Sequence, residues 1–221
     1  MEGLAAILPA GVWARLVEAG VPRLYVPGRV LMRQGDPADH VVIILTGRVK
    51  VARVEADGNT LVLAVRGAGE LVGELGLLNR DHRRSATVTA IDSCSTRVIP
   101  LDDFIATAQA LGLERQLLQH VVRRLQEGED VRAEMATLPA AQRVVRCLLR
   151  LAVPGVAESS GRRAAGVDIG LNQAELGQAA GVHRSTVAEV LRALRDDGLV
   201  VTARRRIVIV DLTRLRRTLV K

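Results

Sequence analysis

The sequence predicts an α+β chain in three parts. These are a small roll of short strands, one long helix, and a basic C-terminal region of short helices ending in a strand-turn-strand wing. Three observations predict it. From Tyr25 to about residue 100, short runs of Val, Leu and Ile are punctuated by glycine at positions 28, 35, 47, 58, 67, 69, 73 and 76. Residues 111–135, LGLERQLLQHVVRRLQEGEDVRAEM, contain no proline, and Leu118, Val121 and Leu125 recur at helical spacing. Beyond Pro139 the periodicity is that of short amphipathic helices. The parts divide as 1–110, 111–136 and 137–221.

Composition narrows the function classes. The hydrophobic fraction is 48% but aromatics are only 1%, so the cores must be built from Val, Leu, Ile and Ala. That scarcity argues against a single-strand binder that stacks bases on aromatic platforms. Residues 1–136 hold 16 Lys/Arg and 17 Asp/Glu, a net −1, whereas residues 137–221 hold 15 and 7, a net +8. A neutral part followed by a basic one points the second at a polyanion. Cys94 and Cys147 fit no metal or cluster spacing and are expected to be buried thiols. No apolar run has the length of a membrane span and the N-terminus lacks a basic signal-peptide start, so a cytoplasmic protein with no membrane partner is expected.

In chain order, residues 4–20 read as a helix closed by Gly20 with Pro22 beyond. The run Val49-Lys50-Val51-Ala52-Arg53-Val54 roughly alternates, Asp57-Gly58 supplies a hairpin turn, and residues 61–65 return. Residues 69–87, GELVGELGLLNRDHRRSAT, then carry the chemistry of a small-anion cradle. Glycine lets backbone approach a ligand and aim N–H groups at a phosphate. Arg84 offers a charge-assisted fork, Ser85 a hydroxyl, and Glu74 an acceptor for a sugar hydroxyl.

Together with RQGDPADHVVIILTGRVKV before it, this segment resembles the cyclic-nucleotide-binding roll of the catabolite-activator superfamily, the cyclic-AMP receptor protein and fumarate-nitrate regulator family of bacterial transcription factors. The resemblance implies a phosphate-binding cassette made of Gly73, Glu74 and Leu75 with Arg84, Ser85 and Ala86. It places Glu74 on the ribose 2′-OH and Arg84 and Ser85 on the cyclic phosphate. Serine after the arginine resembles the cyclic-AMP pattern, so cAMP is the expected effector, with no tightly bound cofactor and no metal. The chain departs from the family at Gly128 and Glu129, where nucleotide-responsive relatives carry Thr and Ser that reach the adenine. Glu129 can accept from an exocyclic amine or be a solvated, salt-bridged helix residue. His82 and Arg83 read as a solvated loop tip, and with no cysteine in the first 93 residues an iron-sulfur cluster is disfavoured.

The central helix should stop at Thr137-Leu138-Pro139, the expected hinge, because proline disfavours helix at the residue before it. An amphipathic helix follows over about 140–152, a turn-rich connection over 154–166 and a short strand at 167–169. Asn172 should cap a helix over 173–180, Gly181 makes the turn, and a second helix over 184–195 buries Val187, Val190, Leu191 and Leu194. The wing has strands near 199–202 and 207–211 around Ala203-Arg204-Arg205-Arg206. The segment LNQAELGQAAGVHRSTVAEVLRALRDDGLV resembles the superfamily's winged helix-turn-helix. That resemblance places Arg184, Ser185 and Glu189 at base-reading positions, with Asn172, His183, Thr186, Arg192, Arg204, Arg205 and Arg206 as further DNA-contact candidates.

The expectation is therefore a homodimeric transcription factor and not an enzyme. The roll senses, Leu118, Val121 and Leu125 dimerise, and the two recognition helices engage a two-fold site on double-stranded DNA about 34 Å apart. RNA polymerase is a further partner implied for such a regulator. The rival readings are a constitutive DNA binder whose roll is only a scaffold, and a nucleotide-controlled enzyme. The latter finds no nucleophile–base pair or metal constellation in the sequence.

Overall fold

The computed structural model describes residues 3–77, 83–152, 166–203 and 206–219. The chain divides into two compact units, Met1–Arg53 with Arg66–Gly128 and Val54–Val65 with Glu129–Lys221.

The first unit is organised by β3 (His40–Thr46). Its residues Val41 to Ile44 are all fully buried, so the strand is covered on both faces, and its sequence is a continuous apolar run for that reason. Val41 and Ile43 pack with Leu4, Leu16, Ile99 and Phe104, the helical side. Val42 and Ile44 point the other way, to Tyr25, Met32, Val49 and Val88 inside the roll. The remaining strands are β1 (Val21–Tyr25), β2 (Val30–Met32), β4 (Val49–Val54), β6 (Leu71–Val72), β7 (Thr87–Ala90) and β8 (Cys94–Pro100), while β5 (Thr60–Arg66) falls in the other unit but for its last residue. The strands of this unit are ordered β1-β8-β3-β6 in one sheet and β2-β7-β4 in the other. Between β4 and β5 the Asp57 carboxylate accepts from the Asn59 N–H at 2.9 Å, the side-chain turn bond expected where aspartate opens a hairpin.

The helices differ from expectation in two places. Residues 4–20 form two helices, α1 (Leu4–Ile7) and α2 (Ala10–Glu18), because Pro9 cannot donate within a continuous helix and instead starts the second. The central helix α4 (Glu114–Thr137) begins three residues later than expected and is preceded by α3 (Leu101–Ala110). Pro100 precedes α3, and Asp102 and Asp103 in its first turn oppose the positive end of its dipole.

The second unit contains α5 (Ala140–Leu151), β9 (Val167–Asp168), α6 (Gln173–Ala180), α7 (Arg184–Asp196), β10 (Val200–Ala203), β11 (Arg206–Ile209) and α8 (Leu212–Arg217). A three-stranded sheet runs β10-β11-β9. Val144, Cys147, Leu148, Leu176, Val187, Leu191, Ile207 and Leu215 are among its buried side chains. Pro139 does separate α4 from α5, yet the break is bridged, with Arg150 donating to Glu134 at 2.6 Å. The division between units falls inside α4, at Gly128/Glu129, nine residues before the expected hinge at Thr137. Both cysteines are buried free thiols, each pushed up to about 11 mainly by desolvation. Among the described residues, no helix is long and apolar enough to cross a membrane.

Candidate functional site

The cassette begins at Gly73, whose φ of +91° and close surroundings exclude a side chain: a Cβ there would lie 2.8 Å from Arg84 Nη1 and 3.1 Å from the His40 carbonyl oxygen. A 3₁₀ turn (Glu74–Leu77) follows, with Leu75 exposed. Arg84 and Ala86 are buried and Ser85 between them is exposed, in the bend that leads into β7. Gly73, Glu74 and Arg84 are thus brought together, whereas Ser85 faces solvent. His82 lies outside the described residues, and the Arg83 guanidinium donates to the Gly35 carbonyl at 2.9 Å instead of standing free.

Both charged cassette groups are already engaged by protein. Arg84 Nη2 donates to the His40 carbonyl at 2.6 Å and meets Asp39 Oδ1 at 3.4 Å, while Nη1 reaches the Gly73 carbonyl at 3.4 Å. Glu74 Oε1 lies 3.6 Å from Arg124 Nε. Burial pushes the Glu74 carboxyl above its ordinary range, against the pull of the Arg124 charge. Arg124 also pairs with Glu70 at 2.9 Å, Glu127 at 3.8 Å and the Leu71 carbonyl at 3.2 Å, and Arg66 donates to Glu127 at 2.6 Å. Beside them His120 is buried, its Nε2 has no hydrogen-bond partner among the described residues, and desolvation with the Arg124, Arg66 and Arg123 charges pushes it down to about 4. Asp39, His40, Arg66, Arg124 and Glu127 were missed by the sequence reading. The only signal was the Arg123-Arg124 pair on a face otherwise turned to the roll.

Gly128 is half-buried, while Glu129 is exposed and pairs with Arg132 at 3.9 Å. The exposed apolar stripe of α4 consists of Leu118, Val122 and Leu125 at 63%, 43% and 58% exposure. Val121, expected in that stripe, is half-buried at its edge, because the helix turns its 120/124 face inward and carries Val121 partly with it. Val122, four after Leu118 and three before Leu125, takes its place.

In the second unit the helix-turn-helix forms as its sequence requires. Asn172 accepts from Ala174 N–H and Glu175 N–H at 2.9 and 3.0 Å, and Glu175 accepts from Asn172 N–H at 2.9 Å, a complete capping box. Asn172 Oδ1 is therefore committed to the cap. Gly181 adopts φ +62°, the left-handed conformation that ends α6 and turns the chain into α7. Helix α7 buries Val187, Leu191 and Leu194, leaves Val190 half-buried, and exposes Arg184, Ser185, Glu189 and Arg192. Its N-cap, His183, is exposed and makes no side-chain cap bond, and its first turn has no acidic residue. The positive end of the helix dipole thus meets solvent beside Arg184, Ser185 and the half-buried Thr186, a setting that attracts phosphate. Among the described residues Arg184, Glu189 and Arg192 have no ion-pair partner, and Glu189 and Arg192 do not pair with each other. In the wing, Ala203 pairs across with Arg206, whose Nε donates to Asp168 at 2.8 Å. Arg206 is thus tied at the base of the tip while still exposed, and Arg204 and Arg205 lie outside the described residues.

Known proteins share both halves of this arrangement. Residues 22–110 match the cyclic nucleotide-binding domain family and residues 142–218 the Crp-like helix-turn-helix domain family. The Cyclic AMP receptor protein of Thermus thermophilus is 31% identical over 80% of this chain and 78% of its own length. The cAMP-activated global transcriptional regulator CRP of Salmonella typhimurium is 30% identical over 77% of this chain and 80% of its own. Among solved structures, the c-di-GMP responsive global regulator CLP of Xanthomonas campestris superposes with a TM-score of 0.73 at 24% identity, over 92% of this chain and 100% of that one, a likeness of fold. With both domains in the same order and identity at this level across most of the chain, the protein belongs to the cyclic-AMP receptor protein and fumarate-nitrate regulator family of DNA-binding transcription regulators.

Proposed function

We propose that the protein is a homodimeric regulator whose affinity for a two-fold DNA site is set by a cyclic nucleotide, cAMP first among candidates, bound in the roll. The observation that carries the DNA half is the exposed start of α7, an N-terminus without a side-chain cap where Arg184, Ser185 and Glu189 have no side-chain partner among the described residues. Arginine there suits guanine O6/N7, and an ionised Glu189 can only accept, which suits the cytosine amino group. The dimer half rests on Leu118, Val122 and Leu125, an apolar seam exposed on a 24-residue helix. The effector half rests on Gly73, Glu74 and Arg84 lying together in the roll, with Ser85 next to Arg84 in the chain, and on the cAMP-linked names of the relatives. RNA polymerase is the downstream partner this reading implies, with action in the cytoplasm and no catalytic step.

A second reading has its own observation. Arg84 and Glu74 are satisfied by protein groups, and Gly128 and Glu129 offer no hydroxyl, as in a roll kept only as scaffold. Calorimetry of the purified protein with cAMP and cGMP, followed by duplex binding with and without the nucleotide, separates the two. Heat of binding and a nucleotide-dependent DNA affinity support the regulated dimer. DNA binding with no nucleotide uptake supports the scaffold.

A further inference from the structure

The phosphate-binding arginine of the proposed effector site is not waiting in the open. Arg84 is 93% buried by its 7% exposure, and its guanidinium faces the start of β3. There, Asp39 Oδ1 accepts from His40 Nδ1 at 2.6 Å and lies 3.4 Å from Arg84 Nη2. The His40 Nδ1 proton is committed to Asp39, so the 3.3 Å approach of Arg84 Nη2 to that nitrogen joins two donors, and the shared acceptor of both is the carboxylate. Partial burial works the other way, yet the His40 hydrogen bond and charge and the Arg84 charge hold the Asp39 carboxyl below its ordinary value, so it is ionised at neutral pH.

Asp39 differs from the other partners of Arg84 in one respect. The His40 and Gly73 carbonyls belong to the backbone and are fixed, whereas the Asp39 side chain is 73% exposed. It stands on the wall of a cleft of about 540 Å³ lined also by Arg29, Arg33, Asp36 and the Arg84 edge. It has room to leave without disturbing the core, and Arg29 and Arg33, which line the same cleft, offer it other cations. A carboxylate and a cyclic phosphate compete for the same guanidinium, since both present oxygen pairs to its planar fork.

We propose that Asp39, buttressed by His40, is a positioning residue that holds Arg84 in place as a mobile counter-charge, and that an incoming phosphate displaces it, so Asp39 sets effector affinity. This rests on the reading of Arg84 as the phosphate ligand. The Asp39 end of the pair is largely exposed and the contact is long, 3.4 Å, so the pair is weak and removing it should tighten binding by about two- to fivefold and no more.

The experiment is calorimetric titration of cAMP and cGMP into wild type, Asp39→Asn, Asp39→Glu and Arg84→Ala. Trp13 fluorescence during urea unfolding checks that each roll is intact. Expected are tighter binding by Asp39→Asn (or binding where wild type shows none), wild-type affinity for Asp39→Glu, and no binding by Arg84→Ala. If Arg84→Ala abolishes binding while Asp39→Asn binds no better than wild type, the role of Asp39 is overturned and the cassette stands. The charge argument is overturned equally if Asp39→Glu tightens as much as Asp39→Asn. If neither wild type nor Asp39→Asn takes up nucleotide, or Arg84→Ala binds as wild type does, both readings fall.

Discussion

Arg124→Met should destabilise the first unit at neutral pH and much less so in mild acid. Arg124 is the hub of a largely buried ion network, its side chain only 15% exposed, with Glu70 at 2.9 Å, Glu74 at 3.6 Å and Glu127 at 3.8 Å. Methionine keeps most of the volume and removes the charge. Removing one partner of a fully buried pair typically costs about 3–5 kcal/mol, because the other charge is left without compensation. Here Glu127 retains Arg66 at 2.6 Å, and the carboxylates keep between 9% and 22% exposure, so the cost falls just below that range, at about 2–3 kcal/mol.

The sign of the pH dependence follows from two groups. Glu74 already has a raised pKa, and loss of Arg124 raises it further. Between its unfolded and folded values the native state holds more protons, so stability rises as pH falls through that window. His120 is pushed down to about 4, so wild type loses stability as pH falls from about 6.5, the ordinary histidine value, toward 4; without the Arg124 charge that loss shrinks. Both effects narrow the gap between variant and wild type in acid. The assay is urea unfolding at pH 8 and pH 5.5 followed by Trp13, the single tryptophan, which packs against the helical core of this unit. A gap under 0.5 kcal/mol at pH 8, or one equally wide at both pH values, would refute the reasoning.

Three further outcomes follow from the same structure. Val122→Glu with Leu125→Glu should yield monomers by sedimentation, whereas Val121→Glu alone should weaken association less, since Val121 sits half-buried at the seam's edge. Arg184→Ala should lower operator affinity by about 1–3 kcal/mol and relax one base pair per half-site in a selection from random duplexes, with Arg192→Ala as a comparison one face along. Ile44→Ala, at a fully buried position facing the roll interior, should cost about 2–5 kcal/mol in urea unfolding, and a smaller loss would mean that the roll collapses around the gap.

The parts of the fold legible in sequence were those set by local chemistry. Asn172 with Glu175, Gly181 in the left-handed region, and Pro139 between α4 and α5 each act on their own few residues, and each appears where its chemistry puts it. Pro9 belongs to the same class and was overlooked because the apolar period runs through it. What local pattern cannot carry is the angular setting of a helix against its partner. Val121 and Val122 are equivalent by spacing from Leu118 and Leu125, and only the inward burial of His120 and Arg124 decides which of the two meets solvent. The same limit explains the site. Glycine, Glu74, Arg84 and Ser85 were legible as a cradle because they lie within one short segment, whereas Asp39 is 45 residues from Arg84 and Arg124 is 50 from Glu74. Long-range partners of this kind decide whether a cassette is open or occupied by its own chain. A cradle can therefore persist in a sequence while the protein itself satisfies its charges, and ligand response depends on groups that lie outside the motif.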